Sequence, residues 1–462
     1  MSPYRFAVTL AALALGGSVA DAQTALERAL APYKKLQDVS FDNNDLLEKL
    51  RDGVISLSDK GKEAIRQKAQ NIVYKVTLPE YHEIVRVKDD ALRPQDPNKT
   101  MDKVIDEIHR VFISYTDWSK LNENQKDYQR ELGSALFDAV LLVMTDKDPP
   151  PLLRLNAARL LIPAAETASP AAARGLFKLL SGGVSKDDKK AASSPPPDVL
   201  YYALRACEAF FDKYQVTRPG TKDLVPDDMA ALLGLLIGYV EKGPPILNKV
   251  AVSPSDSPAA QATARDAVVR FYRLQAVRAL AKVKLDEYPG KNVVLRPLFT
   301  LARVAVRDPA IQPPPSVKEV GEATLGLMSV TAGLEVNVDV LAYVVGRGAT
   351  EYFRTLADAE PERKLIDWKT AAQRFSTAST AWVADTKKNL AVQAVGKKAV
   401  EDVAGQLEKN VLAPILDPKA ALGAGPNVPA LSAWLLTFKD KVPETLINDR
   451  RDKLKYKLNY AN

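Results

Sequence analysis

General acid–base chemistry calls for an imidazole or a perturbed carboxylate, and the chain has two histidines in 462 residues. His82 sits in Tyr81-His82-Glu83 and His109 in Glu107-Ile108-His109, so each has a carboxylate close by in sequence. They are the best candidates for proton transfer. Residues two apart on a helix do not face each other, so Glu107 and His109 are not a preformed pair. The expectation is therefore a surface or satisfied polar role for both. Two histidines with one cysteine make a poor ligand supply for a transition metal. Asp42, Asn44 and Asp45 alternate like the start of a calcium loop. The pattern then fails at Leu46 and Leu47, with no glycine or distal glutamate at the required positions. Phosphate loops, nucleophile elbows, zinc-protease helices and paired-cysteine motifs are all missing from the sequence. No catalytic, metal or cofactor-binding residue is assigned, and no cofactor is expected.

Two further groups of residues carry charge or reactivity. Cys207, the sole cysteine, falls on the apolar face of a helical pattern and reads as a small buried hydrophobe. The C-terminus RRDKLKYKLNYAN carries Arg450, Arg451, Lys453, Lys455 and Lys457 against Asp452, a local charge of +4. Such a run is either a solvated terminus or a contact for anionic lipid, cell-wall polymer or an acidic partner.

The elements that hold these residues are helical. Asp148 to Pro163, DPPPLLRLNAARLLIP, has three prolines, of which the last can take the first helical position. Leu153, Ala157, Leu160 and Leu161 then recur at helical spacing, and Pro163 closes or kinks the helix. Tri-proline starts return at 195–197, before VLYYALRACEAFF, and at 313–315, before SVKEVGEATLGLM. A fourth helix, VVRFYRLQAVRALAKV, has no prolines in front of it. Aligning the small residues Ala157, Ala203, Ala276 and Ala323 gives spacings of 46, 73 and 47 residues. Two agree, and the third matches one period with an insertion.

A period in the forties built from helix pairs is the length of HEAT and armadillo units. Asp148, Arg154, Ala157, Ala158, Leu160 and Leu161 resemble the HEAT-repeat pattern, in which a turn aspartate precedes an arginine by six residues. The helix from Val268 keeps Arg273, Ala276, Ala279 and Leu280, with Ala267 at the aspartate position. The second and fourth units have Leu200 and Val320 where the arginine belongs. The resemblance covers roughly 200 residues and implies an all-α, irregular solenoid of helix pairs. It also implies that Arg154, Arg159, Arg205, Arg273 and Arg278 pair within and between repeats.

Length and composition fit this reading. Hydrophobic residues at 46% and charged residues at 26% are ordinary values for a folded chain, and the formal charge of +7 is mild. MSPYR followed by FAVTLAALALGGSVA and Ala20-Asp21-Ala22 reads as a signal peptide cleaved before Gln23. The apolar run Met229 to Val240 is 12 residues, whereas a bilayer span needs about 20. The expected organisation is a signal peptide at 1–22 and a helical region at 23–126. A repeat body at 127–330 follows, then a helical region with the basic tail at 331–462. Within the last region Trp368, Phe375 and Trp382 share one helical face and read as core.

The function these observations favour is an exported, non-enzymatic protein-interaction or scaffold module, periplasmic or extracellular, with a protein partner. An envelope-polymer-binding protein or an enzyme with a site outside the repeats is the alternative. It would be recognised by His82, His109 and carboxylates converging in one pocket. A structural envelope component docked by the basic tail is the third reading. Nucleic acid is not an expected partner of an exported chain.

Overall fold

The structure is a computed structural model that describes residues 44–78, 81, 99–113, 120–145, 150–182, 195–217, 226–244, 257–283, 288–289, 294–295, 297–329, 338–358, 367–390, 392–417, 427–439, 445–447 and 455–457. The fold is all-α apart from two short antiparallel strand pairs. The chain forms two compact units, Met1–Ala171 and Ala172–Asn462. The proposed signal peptide lies outside the described residues, as does most of VTLPEYHEIVRVKDD.

The first unit holds α1 (Asn44–Arg51), α2 (Asp59–Tyr74), α3 (Met101–Val111), α4 (Glu123–Thr145) and α5 (Pro151–Ala165). Helix starts follow from side chains that satisfy orphan backbone donors. The Ser58 hydroxyl accepts from the Gly61 N–H before α2, and Thr100 accepts from Lys103 before α3. Pro151 occupies the first turn of α5, as the proline run predicts. Pro163 lies inside that helix, which ends two residues later. α4 packs on α1, α2 and α5, while α3 packs on α2 and α5. Leu50, Ile65, Ile72, Ile108, Phe137 and Leu160 fill the space between them.

In the second unit, α6 (Pro170–Leu180) leads into α7 (Pro197–Thr217), α8 (Pro226–Lys242) and α9 (Pro258–Leu280). Next come α10 (Pro297–Ala305), α11 (Val317–Ser329), α12 (Val338–Asp358) and α13 (Trp368–Lys388). α14 (Ala394–Leu407) runs through a π turn at Glu408–Leu412 into α15 (Ala413–Leu416), and α16 (Val428–Lys439) follows. Two strands, β1 (Tyr288–Pro289) and β2 (Val294–Leu295), precede α10. β3 (Thr445–Ile447) pairs with β4 (Lys455–Lys457) near the C-terminus.

Packing in this unit is between sequence neighbours: α8 on α9, α10 on α11, α11 on α12. The second helices α7, α9, α11 and α13 contact one another in succession and form one layer, with α8, α10 and α12 in the other. That is the solenoid-like helix-pair arrangement expected from the sequence. It runs on through α12 and α13, past the point where the sequence period is lost. Ala203, Ala276 and Ala323 are fully buried in the α7–α9–α11 layer, where a methyl side chain lets neighbouring helices come close.

Three details depart from the sequence reading. α9 begins ten residues before Val268, because Ser257 caps it and Pro258 takes its first turn. α10 was not anticipated. Eight of its nine residues are buried, so PLFTLARVA has no polar face to reveal a helical period. The basic tail carries a strand rather than only a frayed end.

Candidate binding groove on the second-helix layer

The residues that build the site are first of all inter-repeat pairs. Arg273 on α9 is fully buried and its guanidinium donates from Nε and Nη2 to the Glu319 carboxylate on α11, the latter bond at 3.2 Å. Glu319 has a second duty. Its Oε2 accepts from the Ser316 N–H at 2.6 Å while the Ser316 hydroxyl accepts from the Glu319 N–H at 3.4 Å, a capping box that opens α11. One turn further on, Arg278 donates to Glu322 Oε1 from Nη2 at 3.1 Å and Nε at 3.3 Å. Arg374 of α13 reaches the same carboxylate, with Nη1 to Oε1 at 3.1 Å and Nη2 to Oε2 at 2.7 Å. In the other layer Arg307, in the turn after α10, donates to Glu351 of α12 at 2.7 Å, and Arg303 of α10 pairs with Glu241 of α8. The partners lie 46, 44, 52, 44 and 62 residues apart.

Arg278, Glu322 and Arg374 face a groove of about 470 Å³ that crosses α7, α9, α11 and α13, within the few hundred Å³ common for ligand sites. On one side Phe271, 47% exposed, stacks on Tyr201 with centroids 5.6 Å apart and 20° between planes. On the other, buried Tyr352 stacks on Phe375 at 5.2 Å and 20°. Gln275 lies between, 3% exposed. Its amide donates weakly to the Phe271 carbonyl at 3.5 Å, and its Oε1 has no hydrogen-bond partner among the described residues.

Electrostatics follow from this packing. Burial pushes the Glu322 carboxyl up, but the hydrogen bonds and charges of Arg374 and Arg278 outweigh burial and hold it below its ordinary range. Arg374 is held still further toward its charged form, first by its hydrogen bond to Glu322 and also by the field of Glu208. Burial raises the Tyr352 hydroxyl to about 12, so it stays neutral. With Lys318 and Asp367 included, the lining carries three cations against two carboxylates. Such a site can stack planar or apolar groups at its ends and exchange hydrogen bonds with amides and carboxylates between them. It offers no nucleophile activated by a base.

The other sequence-assigned residues lie elsewhere. Ala157 is fully buried in α5 and Arg154 is half-buried there. Asp148 lies outside the described residues. Arg159 reaches Asp102 of α3 at 3.6 Å, and Arg205 pairs within its own helix with Glu208 at 3.3 Å. Cys207 is buried, and burial pushes its thiol far up, away from thiolate formation. Phe375 and Trp382 are core residues as expected, while Trp368 is half-buried. His109 Nε2 lies 3.1 Å from Glu166. Glu107 faces away from it toward Lys68 and Lys75. Burial raises the Glu107 carboxyl, but the two ammonium groups together hold it below its ordinary range. His82 is outside the described residues, as are Arg450, Arg451 and Lys453. Lys455 and Lys457 are placed on β4. No set of three or more His, Cys, Asp or Glu positioned to hold a metal occurs among the described residues.

Tyr201, Phe271, Tyr352, Glu319, Glu322 and Gln275 escaped sequence reasoning, while Phe375 was read there only as core. Two signals pointed to the acids: Ser316-Val317-Lys318-Glu319 has the capping-box spacing, and the carboxylates follow Arg273 and Arg278 by about one repeat period. No family model, curated protein or solved structure matches this chain.

Proposed function

We propose that this chain is an exported, non-enzymatic interaction module of HEAT-like helix pairs that holds a short extended segment of a partner protein in the groove across α7, α9, α11 and α13. The observation that carries the reading is the shelf of exposed Phe271 on half-buried Tyr201 beside the Arg278–Glu322–Arg374 ladder. An aromatic shelf supplies contact area at low entropic cost, and arginines beside it supply oriented donors, the residue types that dominate binding energy at protein interfaces. The fitting partner segment carries an apolar or aromatic side chain for the shelf. A nearby carboxylate would meet the spare donors of Arg278, Arg374 and Lys318. The HEAT assignment is supported by Arg273, which keeps the family's arginine position and bridges two helix pairs. Export rests on the leader sequence.

The test is affinity capture by the chain from Gln23 to Asn462 out of an envelope extract, washed at low and then high salt. Wild type and Phe271→Ala are compared throughout. A discrete protein retained at high salt by wild type is expected to bind the variant roughly 30-fold more weakly, the effect of losing an anchor worth about 2 kcal/mol. Equal retention by the variant would remove the groove from the mechanism. Recovery of only salt-labile polyanions would favour docking through the basic tail instead.

A further inference from the structure

A second concavity, of about 480 Å³, lies in the first unit between α1 and α3. Both helices line it with a single stripe. Glu48 and Arg51 are three apart on α1, while Lys103, Glu107 and Arg110 follow at intervals of four and three on α3. Lys68 of α2 completes the charged lining. Among the described residues, four cations therefore face two carboxylates.

Their pairing is uneven. Glu107 is already held by Lys68 at 2.9 Å and by Lys75, both part-buried. Glu107 is thus already satisfied and offers little to neutralise the other cations of the cleft. Among the described residues Arg51 uses only its Nε, on Asp52 at 3.0 Å. The side chains of Lys103 and Arg110 make no hydrogen bond or ion pair among the described residues. Structural ion pairs tend toward neutrality, whereas the described residues of this cleft keep a surplus of cationic donors. An arginine fork matches an oxyanion bidentately. A singly charged anion gains little beside Glu48 and Glu107, so more than one negative charge is needed.

We propose that the α1–α3 cleft binds a small multivalent oxyanion carrying two or three phosphate or carboxylate charges, with Arg51, Lys103 and Arg110 as its contacts and Lys68 as the deeper counter-charge. The experiment is isothermal titration of the full chain with pyrophosphate and, separately, citrate, at fixed ionic strength with chloride as background. Saturable binding of either is expected, and which probe binds tells phosphate from carboxylate. The Lys103→Gln/Arg110→Gln variant should bind at least tenfold more weakly while melting within a few degrees of wild type. Arg51→Gln, at the exposed end of α1, is the second variant and should weaken binding severalfold. A chain with Arg450, Arg451 and Lys453 changed to Gln should bind like wild type. No saturable heat from either probe overturns the proposal. So does unchanged binding by both cleft variants, or loss of binding on neutralising the tail.

Discussion

Glu319 is asked to do two things at once, and the pairing with Arg273 depends on its charge. It closes the first turn of α11 and neutralises Arg273, with neither side chain exposed. Removing one partner of such a pair leaves the other charge buried and uncompensated, which costs about 3–5 kcal/mol. Glu319→Gln is expected to lose stability on that scale in urea unfolding. The double change Arg273→Met/Glu319→Leu should recover much of the loss, because no orphaned charge remains. A loss under 1 kcal/mol for Glu319→Gln would mean that water already serves Arg273. Glu322 adds a pH dependence whose sign is fixed. Its carboxyl is held below 4.5, the ordinary glutamate value, so folding favours the ionised form. That contribution is fully present above pH 4.5 and fades as pH falls through the lower folded value. Acid titration followed by tryptophan fluorescence should show a shallower acid slope for Glu322→Gln than for wild type, from a lower starting stability at pH 7.

Between elements, close approach is secured by small residues. A methyl group added at Gly326 of α11 would lie 2.5 Å from the Ala281 Cβ and 2.9 Å from its Cα, and backbone cannot swing aside as a side chain can. Gly326→Ala is therefore expected to destabilise by about 1–3 kcal/mol through overpacking, despite the better helix propensity of alanine. A shift of the urea midpoint to higher concentration would contradict this. The same layer explains what could be read from the sequence. Ala203, Ala276 and Ala323 were legible as contact residues because a small side chain inside an apolar stripe has one common use. The arginines on the same helices were legible as bridging residues through the HEAT resemblance, and Arg273 and Arg278 do bridge. Their acceptors carried two signals, the capping-box spacing at Ser316–Glu319 and the offset of about one period from the arginines, but neither says by itself which carboxylate lies opposite which arginine. The groove was hidden for a related reason. Tyr201, Phe271, Tyr352 and Phe375 sit on four different helices, and each alone reads as an ordinary core aromatic. α10 was invisible because burial on every side erases periodicity.

Across the molecule, formal charge is +7, and the last residues hold much of it. Changing Arg450, Arg451, Lys453, Lys455 and Lys457 to Gln lowers the total to +2. Retention on anionic vesicles or wall polymer at low salt is expected to fall with that change, and to fall equally for wild type above about 0.15 M salt, where the screening length is near 8 Å. Retention that survives both would place the contact elsewhere. Glutamine replacement is preferable to deletion, because β4 pairs with β3 and truncation would remove that pairing as well.

The shared carboxylate of Glu319 also acts as a rivet between two helix pairs. Arg273 belongs to the helix pair made earlier in the chain, while the cap it stabilises belongs to the next. Chains shortened from the C-terminus beyond α11 keep this start intact. Chains that lack α9 leave the α11 cap without its arginine, and chains that lack α11 leave Arg273 without its carboxylate, so damage at this joint is felt on both sides of it.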